Sequence, residues 1–146
     1  MTKKRIIYTQ DDGTAAIIIP APGVTITQLL TSVPEGYDYE IVDETDIPSD
    51  RTFRNAWEHD KSEEPQKIKH NMTKATKIAH DKRRAKRDLD FAPHDNIIAK
   101  QIPGQALKQT EAARQAIRDK DAVVQQDIDN ASTIDELKAI VVREGM

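Results

Sequence analysis

Apolar and polar positions change period several times along the first fifty residues. Arg5-Ile6-Ile7-Tyr8-Thr9 and Ala15-Ala16-Ile17-Ile18-Ile19 are short runs rich in β-branched and aromatic residues, which predicts two strands. Asp11-Asp12-Gly13 lies between them and predicts a hairpin turn, because these residues tolerate positive φ. Pro20 and Pro22 stop the second run. Thr25-Ile26-Thr27-Gln28 then matches a capping box, and Ile26, Leu29, Leu30 and Val33 form one apolar stripe of a short helix that Pro34 ends. After Glu35-Gly36, the residues Tyr37, Tyr39 and Ile41 alternate with Asp38 and Glu40, predicting a strand with the first three on its buried face.

The period lengthens further on. Ile47 to Trp57 reads as a linker ending in a short aromatic helix, capped by Ser49 or Asp50, with Phe53 and Trp57 four apart on one face. His59 to Pro65 is a polar spacer. Ile68, Met72, Ala75 and Ala79 then step at helical spacing, continue through Lys82 and Lys86 to Leu89, and stop at Pro93. Pro103-Gly104 marks a second break. Ala106, Thr110, Ala113, Ile117, Val124 and Ile128 lie near one face of a helix from about 105 to 129, with Asp121 interrupting the seam. Thr133-Ile134-Asp135-Glu136 is another capping box, followed by a helix carrying Leu137, Ile140 and Val141 and closed by Gly145. The expected class is α+β. A small N-terminal ββαβ unit at 1–47 and the linker at 48–65 precede a region at 66–146 of extended α-helices and a C-terminal helical hairpin.

Composition changes what such elements can do. Only 37% of the 146 residues are hydrophobic, 4% are aromatic and 32% are charged, against about 45–50% apolar in an ordinary soluble domain. A large core around a deep pocket is therefore not expected. The alanine-rich seams are thin, so the helical region is expected to lean on neighbouring subunits. Absence of cysteine excludes disulfides and thiolate metal sites. No apolar run suits a membrane span or a secretory leader, which suggests synthesis in the cytoplasm.

Charge is segregated. The net charge is −3, yet residues 1–50 balance to −6 and residues 61–100 to +5. Lys67 to Arg87 holds nine basic side chains and one acidic, Asp81. This block, centred on Lys82, Arg83, Arg84, Lys86 and Arg87, could meet an acidic protein surface or neutralise phosphates. It could also be a solvated face paired with Asp81, Asp88 and Asp90. No aromatic residue lies between Trp57 and Phe91 to stack bases, which argues against single-strand recognition. Phe53 and Trp57 have two readings as well: a plug for the sheet, or anchors for a partner with Arg51 and Arg54 beside them.

No chemistry emerges at the motif level. His59, His70, His80 and His94 have no metal-ligand spacing, Asp11-Asp12-Gly13 lacks the rest of a calcium loop, and the five glycines are too scattered for a phosphate loop. No nucleophile is linked to a base. The expectation is a non-enzymatic protein with no catalytic or metal residues and no cofactor.

The linker Ile47-Pro48-Ser49-Asp50-Arg51-Thr52-Phe53-Arg54-Asn55-Ala56-Trp57 resembles a segment common in small tail-region proteins of double-stranded DNA bacteriophages. Arg83 to Asp88, Ala113 to Asp119, Ile128, and Thr133 to Ala139 are similar to the helical pattern of phage tail assembly chaperone-like families. The resemblance implies a virion structural protein of the tail, neck or capsid, made in the bacterial host cytoplasm and acting through protein contacts in a symmetric or homo-oligomeric assembly. The alternatives are a tail or tail-fibre assembly chaperone absent from the mature particle, and a nucleic-acid-binding accessory protein. Candidate partner-binding residues are Phe53, Trp57, Arg51, Arg54, Lys82, Arg83, Arg84 and Arg87.

Overall fold

The computed structural model describes residues 3–60, 67–100 and 105–146. Most of the polar spacer, residues 61–65, and the break at Pro103-Gly104 lie outside them, as does the side chain of Ala106. The class is α+β: antiparallel strands come first and long helices follow. The chain forms two compact units, Met1–Lys74 and Ala75–Met146.

In the first unit β1 (Lys4–Thr9) and β2 (Ala15–Ile18) form the predicted hairpin. Its loop is closed by Gln10 N–H donating to Thr14 C=O at 2.9 Å and Gly13 N–H to Gln10 C=O at 2.9 Å. Gly13 has φ +84°, left-handed backbone that a side chain would strain. Thr25 caps α1 (Ile26–Leu29) as a reciprocal box with Gln28, and one 3-10 turn, Leu30–Ser32, precedes Pro34. β3 (Tyr39–Asp43) pairs antiparallel with the other side of β1, giving the order β2-β1-β3.

The buried face of β3 is the opposite of the predicted one. Val42 is buried, whereas Tyr39 and Ile41 are exposed. The reason is a second layer that the periodicity did not reveal. β4 (Trp57–Asp60) and β5 (Lys67–His70) form a two-stranded hairpin, with Trp57 opposite His70 and His59 opposite Ile68. Trp57 packs with Ile7, Ala15 and Val42, and Ile17, Ile47 and Ile68 close around them. Side chains alternate across a strand, so Ile6 points to the other face, where the short α1 contributes buried Leu29.

The short aromatic helix is likewise corrected. Asp50 accepts from Thr52 N–H at 3.0 Å, and a single 3-10 turn, Arg54–Ala56, follows Phe53. Trp57 already belongs to β4. The extended pairing of Trp57 with His70 ends the turn after three residues. Phe53 and Trp57 are both buried, as a plug would be, without sharing a helix.

In the second unit the helices are longer than Pro93 suggested. α2 (Met72–Ala99) begins after β5, so Ile68 is a strand residue, and it runs through Pro93. Pro93 removes one backbone donor. Contacts on both sides hold the helix there: Phe91 lies under the guanidinium groups of Arg114 and Arg118, and Asp95 pairs with Arg114 at 3.1 Å. α3 (Gln105–Asn130) runs antiparallel to α2, since His80 meets Asp129 and Asp95 meets Arg114. α4 (Ile134–Glu144) starts at the Thr133 cap and ends at Gly145, φ +65°, burying Leu137, Ile140 and Val141. The apolar seam contains Ala75, Ala79, Val124 and Ile128. It passes through Arg83 rather than Lys82, and Leu89 is exposed.

Truncating Trp57 leaves a large void between the two layers of the first unit. Trp57→Ala is expected to cost about 3–5 kcal/mol, read by chemical denaturation followed by circular dichroism.

Candidate partner-binding surfaces

Hollows open on both units among the described residues. In the first, the loop after Pro48 runs beneath the free side of β2. A cleft of about 230 Å³ is lined by Gln10, Thr14, Ala15, Arg51, Arg54 and Asn55, with Trp57 at its wall. A second hollow of about 200 Å³ shares Ile17 and Arg51 with it and reaches Ile19 and Pro48. Arg51 and Arg54 are exposed and take part in no ion pair among the described residues. Ile19 is 52% exposed.

The titratable groups below the sheet are arranged for support. His59 is buried against Glu40, 2.6 Å away, which ties β4 to β3. The indole N–H of Trp57 donates to Nε2 of His70 at 3.1 Å, so the ring proton of His70 sits on Nδ1. At the hairpin loop, Tyr37 donates to Asp11 at 2.6 Å, and that hydrogen bond raises the phenol's pKa above its ordinary value. The Thr14 backbone N–H, with its hydroxyl, holds Asp12 below the usual carboxylate range.

In the second unit the basic block is mostly paired within its own helices. Arg83 is 6% exposed and donates to both oxygens of Asp121 at 2.7 Å. Arg87 reaches the same carboxylate at 3.4 Å. Arg83 Nε also donates to His80 Nδ1 at 3.3 Å, so the imidazole proton sits on Nε2 and points to Asp129 at 2.7 Å. Arg84 pairs with Asp81 at 2.8 Å and Lys86 with Asp90 at 2.7 Å. A small cavity of about 60 Å³ opens beside this network, lined in part by Lys120, Asp121 and Glu144. Burial would raise the pKa of Glu144, but hydrogen bonds from Arg143 and Lys120 outweigh it and hold the carboxyl below its ordinary value.

The eight candidate residues therefore separate. Phe53, Trp57 and Arg83 are buried in the folded chain. Arg84 and Arg87 carry partners already, while Lys82 is half-buried with no ion pair among the described residues. Arg51 and Arg54 remain open and lie together. Sequence reasoning missed Gln10, Thr14 and Asn55 as their neighbours; only the crossing of the loop under β2 brings them there. It also missed Asp121 as the partner of Arg83, although both interrupt otherwise apolar seams. Among the described residues, no three His, Asp or Glu side chains gather as a metal site. No helix among them is long and apolar enough to cross a membrane. The chain matches no family model, and no curated protein or solved structure is detectably similar to it.

Two outcomes follow from the second unit. Asp121→Ala leaves Arg83 buried beside Arg87 with no anion between them, and should cost about 3–5 kcal/mol. Arg83→Met leaves Asp121 with Arg87 and should cost less; the order of the two in denaturant titrations checks the network. Glu144 has an ordinary value of 4.5 in the unfolded chain and a lower one when folded. Its stabilising contribution is thus complete above 4.5 and fades as pH falls through the folded value. The stability difference between wild type and Glu144→Gln should shrink over that acid range and stay constant above it.

Proposed function

We propose that this chain is a non-enzymatic structural protein of a bacteriophage particle, held in tail, neck or capsid by contacts with other virion proteins. One observation carries the reading. The segment that resembles phage tail-region proteins, Ile47–Trp57, both plugs the first unit with Trp57 and supplies Arg51 and Arg54 to the open cleft beside β2. A single stretch thus joins folding to an outward cationic surface, as suits a component that must fold before it docks. The partner surface is acidic, because two unpaired guanidinium groups favour carboxylates in a fixed planar geometry. Nucleic acid gains no support from the basic helix, where Arg83, Arg84, Lys86 and Arg87 already face Asp121, Asp81 and Asp90.

Mass spectrometry of purified particles tests the proposal. The chain is expected at fixed stoichiometry in intact virions, and particles carrying Arg51→Glu/Arg54→Glu should incorporate less of it. Recovery only from the lysate, with none in particles, would favour an assembly factor instead.

A further inference from the structure

The free edge of β2 passes two hollows of different character. In an antiparallel ladder, each residue turns its N–H and C=O to the same side. Gln10 bonds to Thr14 across the hairpin, so Tyr8 and Ile6 bond to Ala16 and Ile18. Ala15 and Ile17 therefore direct their backbone groups away from β1, and among the described residues no strand pairs with that edge. Their side chains lie on the Trp57 face, where Ile17 lines both hollows. Toward Ala15 is the cleft of Arg51 and Arg54. Toward Ile19, which is 52% exposed, Ile47 and Pro48 line the other hollow. From Ile19 to Ala15 is about 13 Å of strand.

The Ala15 end is cationic. One turn, closed by Arg54 N–H donating to Arg51 C=O at 3.1 Å, carries both guanidinium groups, and the cleft has no carboxylate in its lining. Asp50 accepts from the N–H and the hydroxyl of Thr52 at 3.0 and 2.6 Å. Asp11 and Asp12 line a separate hollow with Tyr8, Pro34 and Tyr37. Tyr8 alternates with Ile7, so that hollow opens on the face of the sheet away from Trp57. Asp11 accepts from Tyr37 at 2.6 Å. Asp12 accepts from Thr14 N–H at 2.9 Å, with Lys74 beside it and bonded to its C=O at 3.0 Å. At the Ile19 end the acid is Glu44, and it is paired with Arg5 at 3.5 Å, so Ile17, Ile19, Ile47 and Pro48 set the character of that hollow.

We infer that an extended segment of a partner protein adds to β2 as a further strand, with acidic side chains over Arg51 and Arg54 and an apolar side chain against Ile19, Ile47 and Pro48. Residues opposite each other in a ladder share a face. Partner residues opposite Ala15, Ile17 and Ile19 therefore all project toward the two hollows. Antiparallel pairing is the more stable per residue, and it makes the segment read apolar-x-acidic-x-acidic from its N-terminus. Main-chain bonds to Ala15 and Ile17 supply affinity, and the hollows supply selection. This rests on the proposed docking of an acidic partner at Arg51 and Arg54, and gives that partner a conformation and a sequence pattern.

The probe is the acetylated, amidated peptide Thr-Val-Thr-Glu-Thr-Glu-Thr, titrated into the full chain and followed by amide chemical shifts. The amides of Ala15, Ile17 and Ile19 should shift. A peptide with Gln for both Glu should bind about tenfold more weakly, and so should the original peptide to Arg51→Gln/Arg54→Gln, a variant with unchanged circular dichroism. Ser for Val should weaken binding as well. Methylating the N–H of the first Glu, opposite Ile17, should abolish binding. Methylating that of the Thr after it, which turns away from β2, should not. No shift at the highest soluble peptide concentration, equal affinity for the Gln peptide, or shifts confined to other surfaces would overturn the inference. So would displacement of the peptide by an oligodeoxythymidylate, or the same shifts on raising the concentration of the chain alone, which would give the edge to nucleic acid or to a second copy. Peptide binding needs no particle, so presence in virions and strand addition at β2 can each fail alone.

Discussion

Burial of Trp57 sets the geometry of the whole first unit. A three-stranded sheet has two faces to cover, and four-residue α1 can shield only part of one. The other is closed by an indole that must fill the space between Ile7, Ala15 and Val42 and also satisfy its own N–H. His70 answers the second demand from the opposite strand at 3.1 Å. That pairing fixes the register of β4 against β5, and the register places Asn71 next. Asn71 donates from its backbone to Ala56 C=O and accepts from Lys74 N–H at 3.0 Å, so it starts α2. One large side chain with one polar atom thus determines a strand register, a turn length and a helix start.

The second unit meets the same scarcity of large apolar groups by a different route. Its buried aliphatic side chains, Val124, Ile128, Leu137, Ile140 and Val141, come from α3 and α4. Farther along α2, contact with α3 is made by Arg83 on Asp121 and then by Phe91 under two arginines. A buried ion pair adds little net stability against a well-packed apolar substitute, since desolvation offsets most of the attraction. What it supplies is register. Alanine seams such as Ala75 and Ala79 can slide by a turn with little change in packing. Such a slip would part Arg83 from Asp121 and His80 from Asp129 together, leaving charge buried without a partner.

Much of this was legible where a local rule acts alone. The Asp12-Gly13 turn, the Thr25–Gln28 box and the Gly145 terminus depend on a few adjacent residues and formed as read; at Thr133 only half of the expected box formed, since Glu136 accepts from Ser132 N–H instead of Thr133 N–H. The failures came where distant segments decide. Tyr37, Tyr39 and Ile41 alternate well, but alternation does not say which side receives a cover; the β4–β5 hairpin covered Val42. Trp57-Glu58-His59-Asp60 and Lys67-Ile68-Lys69-His70 also alternate, and that signal was masked by helical spacing beginning at Ile68. Pro93 failed as a stop because Phe91 and Asp95 are held on either side of it. In the site, Arg51 and Arg54 were visible as candidates, but their isolation from carboxylates was not. Pairing is a property of the folded neighbourhood.

That last point separates charge density from binding capacity. By sequence, the nine cations between Lys67 and Arg87 dominate the chain. Folding sets Asp121 against Arg83 and Arg87, and Asp81 and Asp90 a turn away from Arg84 and Lys86, so much of that field is cancelled at short range. Arg51 and Arg54 fall within residues 51–60, which balance to zero, yet they face water beside β2. An incoming carboxylate there displaces solvent rather than an existing partner, so its attraction is not offset by a broken ion pair. Exposed strand edges usually carry charge to repel neighbours. Here Arg51 and Arg54, exposed beside β2, supply such charge.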